Sequence, residues 1–229
     1  MTAPDPGLPR TALLAGATGL IGRELLARLQ GSPRYGHLHV LVRRPIAGAP
    51  SAVRTTFHTV DFAHLPEPLP AVDDAYIALG TTIKVAGSEA AFRQVDVDFV
   101  VNTARAARAA GATRLAVVSS LGADAGSRVL YNRVKGEMQA AVAALDYASV
   151  VIAQPSLLLG DRSALGQPAR SGERWAMRLL GPVMGLVPRS VRPIEATAVA
   201  GAMLAATLAG APGVQVLASA QMQPAAPRR

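Results

Sequence analysis

Tyr131 and Lys135 form the clearest chemical pattern in the 229-residue sequence. Residues four apart lie on one face of a helix, so the lysine ammonium can stand beside the tyrosine hydroxyl. A neighbouring cation favours the phenolate form, which suits a tyrosine for proton transfer near neutral pH. The chain has only two lysines, which makes an accidental match to this spacing improbable. We predict a proton-transfer pair here; a partly exposed pair of helix residues without such a role is the alternative.

Ser119 and Ser120 follow a predicted strand, eleven or twelve residues before Tyr131. A hydroxyl there could hold a substrate oxygen against the tyrosine, which would give a Ser–Tyr–Lys arrangement beside a nicotinamide. Serine is also common at strand ends as a helix cap or turn former, so this interpretation depends on the tyrosine and lysine. The sequence leaves open which of the two serines would act.

Three glycines follow an apolar run over 12–15 and precede a segment with helical periodicity. Strand, glycine turn and helix is the context that a dinucleotide-binding fingerprint requires. Such a turn lets the backbone approach a pyrophosphate, and the helix N-terminus offers free N–H groups to that anion. An ordinary strand-to-helix turn is the alternative. The residues predicted to bind the cofactor in this turn are Gly16, Thr18, Gly19, Leu20, Ile21 and Gly22.

Arg43 and Arg44 end the second predicted strand, where a site of this kind reads the adenosine ribose. An acidic residue there would accept a hydrogen bond from a 2′-hydroxyl, whereas arginine pairs with a 2′-phosphate. The sequence therefore favours NADP(H) over NAD(H), with two solvated surface arginines as the alternative. Asp61, which follows the third strand, could approach the adenine edge or cap the next turn.

Further cofactor contacts are predicted where the fourth and sixth strands end, because ligands of open parallel sheets bind in that crevice. These residues are Gly80, Thr81 and Thr82 after the fourth strand, and Pro155 and Ser156 after the sixth. A simple turn is the alternative for the first group. The chain has no cysteine and its four histidines are not clustered with carboxylates, so we expect no metal site.

Strand and helix patterns alternate along the chain, which is typical of an α/β fold with a doubly wound parallel sheet. Strands are predicted at 12–15, 38–42, 53–60, 74–79, 114–118, 147–153 and 214–217. Helices are predicted after the glycine turn and over 88–110, 130–145, 173–180 and 194–208. We predict a single domain over 1–229, with a core over about 11–155 and a small C-terminal extension over about 156–220.

Half of the residues are hydrophobic and 17% are charged, which predicts a packed core. The net charge of +8 comes almost entirely from arginines, and these are scattered rather than arranged in a basic stripe. We therefore expect no nucleic-acid partner. Neither a signal peptide nor a membrane-length apolar segment is evident, so we expect a cytoplasmic protein that does not bind membranes.

Several motifs resemble those of atypical short-chain dehydrogenases/reductases with an epimerase-like Gly-Ala-Thr-Gly-x-x-Gly turn. The segments at 78–82, 86–87, 95–99, 119–124, 130–137 and 160–162 are similar to the Tat-interacting-protein-like (HTATIP2-like) oxidoreductase branch. This resemblance covers about 13–208, and its Gly-Thr-Thr and Tyr-x-x-x-Lys-Gly-Glu segments are fairly specific.

The resemblance implies a Rossmann fold that binds NADP(H). It implies pyrophosphate contacts at the three glycines and a 2′-phosphate contact at Arg43. It also implies that Tyr131 is the acid/base, that Lys135 is its partner, and that Ser120 (or Ser119) polarises the substrate. A homodimer through helices on the sheet face is common among relatives.

The combined prediction is an NADP(H)-dependent oxidoreductase that transfers hydride to or from a small carbonyl or alcohol. Two alternatives stay open. One is an NADP(H)-sensing regulatory protein with little or no catalysis, and the other is a nucleotide-sugar epimerase- or dehydratase-like enzyme. The identity of the small-molecule substrate does not follow from the sequence.

Overall fold

Seven parallel strands form the centre of the fold in the computed structural model, which describes residues 9–46, 54–159 and 187–224. The strands of these residues are β1 (Arg10–Ala15), β2 (Tyr35–Val42), β3 (Thr55–Thr59), β4 (Asp74–Ile77), β5 (Arg114–Val118), β6 (Ser149–Gln154), β7 (Leu158–Leu159), β8 (Ile194–Glu195) and β9 (Gly213–Ala218). The main sheet has the order β3-β2-β1-β4-β5-β6-β9, while β7 and β8 pair with each other. All pairings in the main sheet are parallel, so the carboxyl ends of its strands meet at one edge. The prediction of a doubly wound parallel sheet is confirmed.

Helices cover both faces of this sheet. They are α1 (Leu20–Gly31), α2 (Ile83–Ala86), α3 (Glu89–Arg93), α4 (Phe99–Ala109), α5 (Leu130–Ala143), α6 (Ala196–Ala209) and α7 (Ser219–Met222). On one face α1 packs against α6, and on the other α4 packs against α5. Within the described ranges, no helix is long and apolar enough to cross a bilayer.

Successive residues of β1 supply the two halves of the core because side chains alternate across a strand. Ala12 and Leu14 belong to the apolar cluster that includes residues of α1 and α6. Leu13 and Ala15 belong to the cluster that includes residues of α4 and α5. All four are fully buried, as expected for a central strand that is covered on both faces.

The helix predicted over 88–110 is divided in the structure into α3, a π-helical turn (Gln94–Asp98) and α4. Ser88 caps the start of α3 by accepting a hydrogen bond from the Ala91 amide, and Gly87 ends α2 with a left-handed φ of +82°. Helical structure runs without a break from Glu89 to Ala109, so the predicted helix is present. The wide turn within it could not be predicted because it does not change the apolar pattern enough to be seen.

The other predicted strands are present, with ends that differ by a few residues. The pairing of β7 with β8 escapes sequence-based prediction because two residues per strand carry no periodic pattern. The helix predicted over 173–180 lies outside the described residues.

A buried ion pair joins β1 to β4 at the amino-terminal edge of the sheet. Arg10 donates to both carboxylate oxygens of Asp74, with Nε–Oδ2 and Nη2–Oδ1 distances of 2.8 and 2.6 Å. Tyr35 donates to the same carboxylate at 2.7 Å and lies 2.7 Å from the hydroxyl of Tyr76. Burial raises the pKa of both tyrosines, and the hydrogen bond to Asp74 raises the pKa of the Arg10 guanidinium. This network lies at the end of the sheet opposite to the predicted cofactor site.

Candidate cofactor and catalytic site

A cleft of about 530 Å³ opens at the carboxyl ends of β1, β2 and β4. The predicted cofactor residues that line it are Gly16, Thr18, Gly19, Arg43, Arg44 and Gly80. Arg23 and Phe62 also line the cleft, although neither belongs to the predicted set. Arg23 comes directly after the last fingerprint glycine, and that position in the first turn of α1 is the signal that could have revealed it.

Two of the three fingerprint glycines are required by the fold itself. Gly16 has a φ of +89°, and a Cβ there would lie 2.5 Å from the carbonyl of Ala78. A Cβ at Gly22 would lie 1.9 Å from the Gly16 carbonyl oxygen, so α1 can pack against the turn only with glycine at this position. Gly19 differs, because its φ is −79° and a Cβ would be 3.5 Å from its nearest neighbour. Neither backbone strain nor internal packing therefore requires glycine at position 19.

The first turn of α1 begins at this cleft with its backbone amides uncapped. Gly19 is the N-cap and has no side chain to accept from them, and no acidic residue lies in the first turn. Free N–H groups and the positive end of the helix dipole favour an anion. The donors present therefore fit the pyrophosphate of a dinucleotide. Because Ile21 and Gly22 are buried, any contact they make would come from the backbone.

Arg43 and Arg44 are exposed at the carboxyl end of β2 and border the cleft, as the sequence predicted. Asp61 does not line it. The Asp61 carboxylate accepts from the Ala63 amide at 2.9 Å and contacts His64 at 3.2 Å, and these bonds lower the pKa of the carboxyl. Of the two roles predicted for Asp61, the structure shows the cap of the following turn.

The two serines after β5 differ in their hydrogen bonds. Ser119 Oγ accepts from Nε2 of Gln139 at 2.6 Å, and Gln139 in turn accepts from Gln154 at 3.1 Å. Ser120 is 8% exposed, and among the described residues its Oγ has no hydrogen-bond partner. Leaving a buried hydroxyl unpaired costs about 1–3 kcal/mol, and such groups often indicate a place for a bound molecule. Of the two serines, Ser120 is therefore the one whose hydroxyl lacks a hydrogen-bond partner among the described residues.

The loop that follows Ser120 lies directly against α5. A Cβ at Gly136 would be 2.1 Å from the backbone nitrogen of Ala125, so only glycine lets the loop and the helix approach this closely. This contact gives the glycine of the Tyr-x-x-x-Lys-Gly-Glu segment a structural role. It also holds the loop of Ser120 on the helix that carries Tyr131.

Tyr131 and Lys135 lie on α5, and each contacts the segment that precedes α4. The Tyr131 ring stacks on Phe92, with ring centroids 5.7 Å apart and 19° between the planes. Lys135 is 4% exposed, and its Nζ lies 2.7 Å from Oδ1 of the fully buried Asp96. A buried ammonium requires such a counter-ion. No spacing in the sequence relates positions 96 and 135, so this contact could not be predicted from the pattern.

The turn after β4 connects the cleft to this ion pair. Gly80 lines the cleft, and a Cβ there would lie 3.3 Å from Asp96 Oδ1 and 3.5 Å from Lys135 Nζ. The Thr81 amide donates to Asp96 Oδ2 at 2.8 Å. The Thr82 hydroxyl accepts from an amide of α2 at 3.2 Å and so caps that helix. Gly80 is therefore the member of this predicted group that borders the cleft.

Pro155 and Ser156 are engaged in contacts within the protein. The Pro155 carbonyl accepts from the Leu121 amide at 2.9 Å. Ser156 Oγ donates to the carbonyl of Arg192 and accepts from Ser219 at 2.9 Å. Neither residue lines the cleft. In the part of the chain that the structure describes, no group of three or more His, Asp or Glu side chains is placed to hold a metal ion.

Known proteins are similar in sequence to the part of the chain that forms this cleft. The family model described as NAD(P)H-binding matches residues 16–157, a range that includes the glycine turn and α5. Protein HTATIP2 of Rattus norvegicus is 34% identical over 176 residues, which cover 75% of this chain and 71% of the rat protein. The chain belongs to the NAD(P)H-binding family, in its HTATIP2-like branch of atypical short-chain dehydrogenases/reductases.

Another relative and two solved structures are also similar to this HTATIP2-like chain. Protein FMP52, mitochondrial, of Eremothecium gossypii is 35% identical over 152 residues, which cover 66% of this chain and 67% of the fungal protein. The structure of MoeE5 in complex with UDP-glucose and NAD is similar with a TM-score of 0.67 at 18% identity, covering 90% of this chain and 75% of that one. The structure of gox2253 gives a TM-score of 0.66 at 19% identity, covering 91% and 70%. These structural likenesses identify the fold as Rossmann-type.

The expected cytoplasmic location is contradicted by the fungal relatives. FMP52 of Eremothecium gossypii and of Coccidioides immitis, at 35% and 33% identity, are both named as mitochondrial proteins. The expectation rested on the lack of an apolar leader or membrane-length segment. That observation bears on secretion and membrane insertion, and it does not distinguish the cytoplasm from an organelle.

Proposed function

We propose that this HTATIP2-like protein is an NADP(H)-dependent oxidoreductase that acts on a small carbonyl or alcohol. The observation that carries the proposal is the buried hydroxyl of Ser120, which has no hydrogen-bond partner among the described residues and lies in a loop that packs against α5. A substrate oxygen is the kind of group that such a hydroxyl can bind. Tyr131 on the same helix supplies a proton donor and acceptor, and the cleft at the glycine turn accommodates a dinucleotide.

Each residue has a distinct part in this proposal. Bound NADP(H) supplies or accepts the hydride. Ser120 donates a hydrogen bond to the carbonyl oxygen of the substrate, which orients it and stabilises the negative charge that develops there. Tyr131 gives its hydroxyl proton to that oxygen in reduction and takes a proton from the alcohol in oxidation. Lys135 lies in the buried part of the site, with its Nζ 2.7 Å from Oδ1 of Asp96.

The preference for NADP(H) over NAD(H) rests on the charge at the cleft. Arg43 and Arg44 border it at the end of β2, and Arg23 borders it from α1. Guanidinium groups pair well with the dianionic 2′-phosphate, and a ribose 2′-hydroxyl offers them much less. No acidic residue lines the described part of the cleft to accept from that hydroxyl.

The cofactor is tested by calorimetric titration of the protein with NADPH and with NADH. We expect NADPH to bind at least about tenfold more tightly, a difference of about 1.4 kcal/mol. Arg43→Ala and Arg44→Ala should each reduce that preference. Arg105→Ala, which removes an exposed arginine outside the cleft, should leave it unchanged. Binding of neither nucleotide would overturn the proposal.

Catalysis is tested with a panel of small carbonyl compounds and alcohols, by following NADPH absorbance. Tyr131→Phe should abolish turnover of any substrate found. Tyr147→Phe is the matched control, because the Tyr147 hydroxyl donates to the Ala104 carbonyl and takes no part in the site. Tight NADPH binding without turnover of any panel member would instead favour a cofactor-sensing protein.

A further inference from the structure

Large apolar residues that are exposed to solvent concentrate at one edge of the sheet. Among the described residues there are eight, and two of them, Val214 and Val216, lie on β9. The other six, here called the apolar rim, follow β4, β5 or β6 or come just before β8, which pairs with β7 beyond the end of β6: Ile83, Val85, Leu121, Val129, Leu157 and Val191. The rim therefore lies at the carboxyl-terminal edge, where Ser120 and the cofactor cleft also lie.

The connections at the amino-terminal edge carry no exposed residue of this kind in the described ranges. Their exposed positions hold alanine, glycine, proline or charged residues, while their large apolar residues are buried or partly buried. Isolated exposed apolar residues are normal on soluble proteins, and chance would place them at both edges. Their concentration at the edge that binds ligands is typical of a surface that contacts an apolar ligand.

Backbone hydrogen bonds bring part of the rim next to Ser120. Leu121 directly follows this serine, and its amide donates to the Pro155 carbonyl at 2.9 Å. Two residues later, the Leu157 carbonyl accepts from the Ile194 amide, also at 2.9 Å. The segments after β5 and β6 are therefore adjacent, and each presents an exposed leucine close to the unpartnered hydroxyl.

Val129 extends the rim to the helix of the proposed proton donor. It is the N-cap residue of α5, two positions before Tyr131, and it is exposed. Its amide donates to Ser127 Oγ at 3.1 Å, so a local turn fixes its backbone. Exposed apolar residues thus come directly before the proposed proton donor and directly after the proposed oxygen-binding serine.

Three arginines in this part of the molecule are engaged by backbone carbonyls of the protein. Arg133 donates to one at 3.2 Å, Arg189 to two at 3.0 Å, and Arg192 to one at 2.9 Å. A second diphosphate, as in a nucleotide sugar, needs cations that can pair with it. The edge therefore favours an apolar substrate over an anionic one, and the exposed Arg128 is the cation that a test must include.

We propose that the substrate is a carbonyl compound or alcohol with an extended apolar body, which lies on Leu121, Val129 and Leu157 while its oxygen binds Ser120. Contact with an alkyl chain or ring removes apolar surface of both partners from water, which favours binding. A sugar would place hydroxyl groups against the same leucines without hydrogen-bond partners, which disfavours it. This inference rests on the proposed function, because it names the class of substrate that the proposed reaction uses.

The test is a calorimetric titration of the NADPH complex with unbranched primary amides, from acetamide to octanamide. An amide carbonyl can accept a hydrogen bond from Ser120 but is not reduced by a nicotinamide, so affinity is measured without turnover. We expect the dissociation constant to fall by about twofold for each added methylene, because complete burial of a methylene would give about fourfold. Reduction of the matching aldehydes, followed by NADPH absorbance, should show the same rise in kcat/KM with chain length.

Leu121→Asn and Leu157→Asn should each reduce the dependence of amide affinity on chain length. The matched control is Val214→Asn, because Val214 is 49% exposed and Leu157 is 47% exposed. Val214 lies on β9 opposite Val150, near the start of β6 and away from the rim, so this variant should keep the wild-type dependence. The affinity of each variant for NADPH shows that it is folded.

An amide of the same length as hexanamide but with a terminal carboxylate should bind more weakly than hexanamide. Tighter binding of the carboxylate, lost in Arg128→Ala, would assign an anionic substrate to this edge and overturn the inference. Equal affinity for all amides would also overturn it, as would a chain-length dependence that both leucine variants keep. Binding to phosphatidylcholine–phosphatidylserine vesicles that the leucine variants lose, without any chain-length dependence for amides, would assign the rim to a lipid surface and overturn it too.

The outcomes for the inference and for the proposed function are distinct. Turnover of short or polar carbonyl compounds without any effect of chain length leaves the proposed function standing and overturns the inference. Binding of long amides without reduction of any aldehyde supports an apolar ligand and overturns the proposed reaction. If the wild-type protein binds neither nucleotide nor amide, both fail.

Discussion

Two buried ion pairs lie at opposite edges of the same sheet, and they differ in how fully they are hydrogen bonded. At the amino-terminal edge, Asp74 accepts two bonds from Arg10 and one from Tyr35. At the carboxyl-terminal edge, the Asp96 carboxylate lies 2.7 Å from the Lys135 ammonium and accepts a hydrogen bond from one backbone amide. In the first pair, side chains of the protein supply the hydrogen-bond donors to the carboxylate. The second lies beside a turn that borders an open cleft.

The two edges therefore differ in how fully their buried polar groups are satisfied within the protein. Fully satisfied polar networks rigidify a core, whereas a buried group without a partner indicates a site that another molecule completes. Ser120 is such a group, and it follows β5 at the carboxyl-terminal edge. Ligands of open parallel sheets bind in the crevice outside the carboxyl ends of the strands.

Asp74→Asn gives the largest effect on folding that the comparison predicts. It leaves the Arg10 guanidinium buried beside a neutral amide, so we expect the free energy of unfolding to fall by about 3–5 kcal/mol in urea titrations. NADPH affinity of the folded protein should change by less than about twofold. A large loss of affinity in a protein that is still folded would show that the two edges are coupled, and the comparison would fail.

The control for this variant replaces both partners by apolar side chains. Arg10→Met combined with Asp74→Leu removes both charges and should recover most of the lost stability. Tyr35 and Tyr76 keep their mutual hydrogen bond in this background. A double variant that is as unstable as Asp74→Asn would mean that the network stabilises the fold beyond the ion pair.

Gly16→Ala and Gly19→Ala should have different effects on stability, although both glycines lie in the same turn at the carboxyl-terminal edge. At position 16 the left-handed backbone and the close Ala78 carbonyl should make alanine cost about 2 kcal/mol or more of stability. At position 19 alanine should change stability by less than about 1 kcal/mol, because the backbone is extended and the space is open. NADPH affinity should nevertheless fall in Gly19→Ala. Unaltered binding by that variant would remove the argument that position 19 makes room for a ligand.

The fold could be predicted because each strand and long helix carries its own periodic signal. β1 through β6 and α5 are recognisable in this way, and the glycine turn identifies the cofactor edge. The wide turn at 94–98 could not be predicted, since one residue inserted in a helix barely changes its apolar face.

The site was predicted only in part, because a sequence shows which residue types are present and not which side chains satisfy each other. The pattern could not separate Ser119 from Ser120, and a single contact from Gln139 separates them in the structure. It could not join Asp96 to Lys135, which are distant in sequence and meet through tertiary packing. Asp61 shows the same limit. Its turn-capping hydrogen bond is made to a residue two positions away, whereas its position outside the cleft depends on the tertiary fold.

Ser119→Ala and Ser120→Ala should differ in their effects on stability. Ser119→Ala breaks the bond from Gln139 and leaves that amide without its partner, so we expect a loss of about 1 kcal/mol. Ser120→Ala removes an unpaired buried hydroxyl, so stability should stay the same or rise by a few tenths of a kcal/mol. Thermal unfolding of the two variants measures this difference. Equal destabilisation would indicate that Ser120 already has a partner within the protein.

A further effect on stability is a pH dependence that comes from neither ion pair. His39 and His58, on β2 and β3, share a hydrogen bond of 3.0 Å between Nδ1 and Nε2. Burial and neighbouring histidines lower the pKa of His39 to about 4 and also lower that of His58. The unfolded chain, with histidine pKa values near 6.5, therefore binds more protons than the folded protein between these limits. Stability should be fully present above about pH 6.5 and should fall as the pH drops towards about 4.

Urea unfolding at about pH 7 and about pH 5 measures this dependence. His39→Asn should reduce the difference between the two pH values, and His64→Asn should not, because His64 is an exposed histidine away from the pair. Asp74→Asn should show the wild-type pH difference, since the hydrogen-bond partners of Asp74 are Arg10 and Tyr35 and neither histidine of the pair. If Asp74→Asn changed the pH difference as strongly as His39→Asn, the amino-terminal network would extend to the β2–β3 edge. The β2–β3 pair of histidines would then belong to the same hydrogen-bonded network as Arg10 and Asp74.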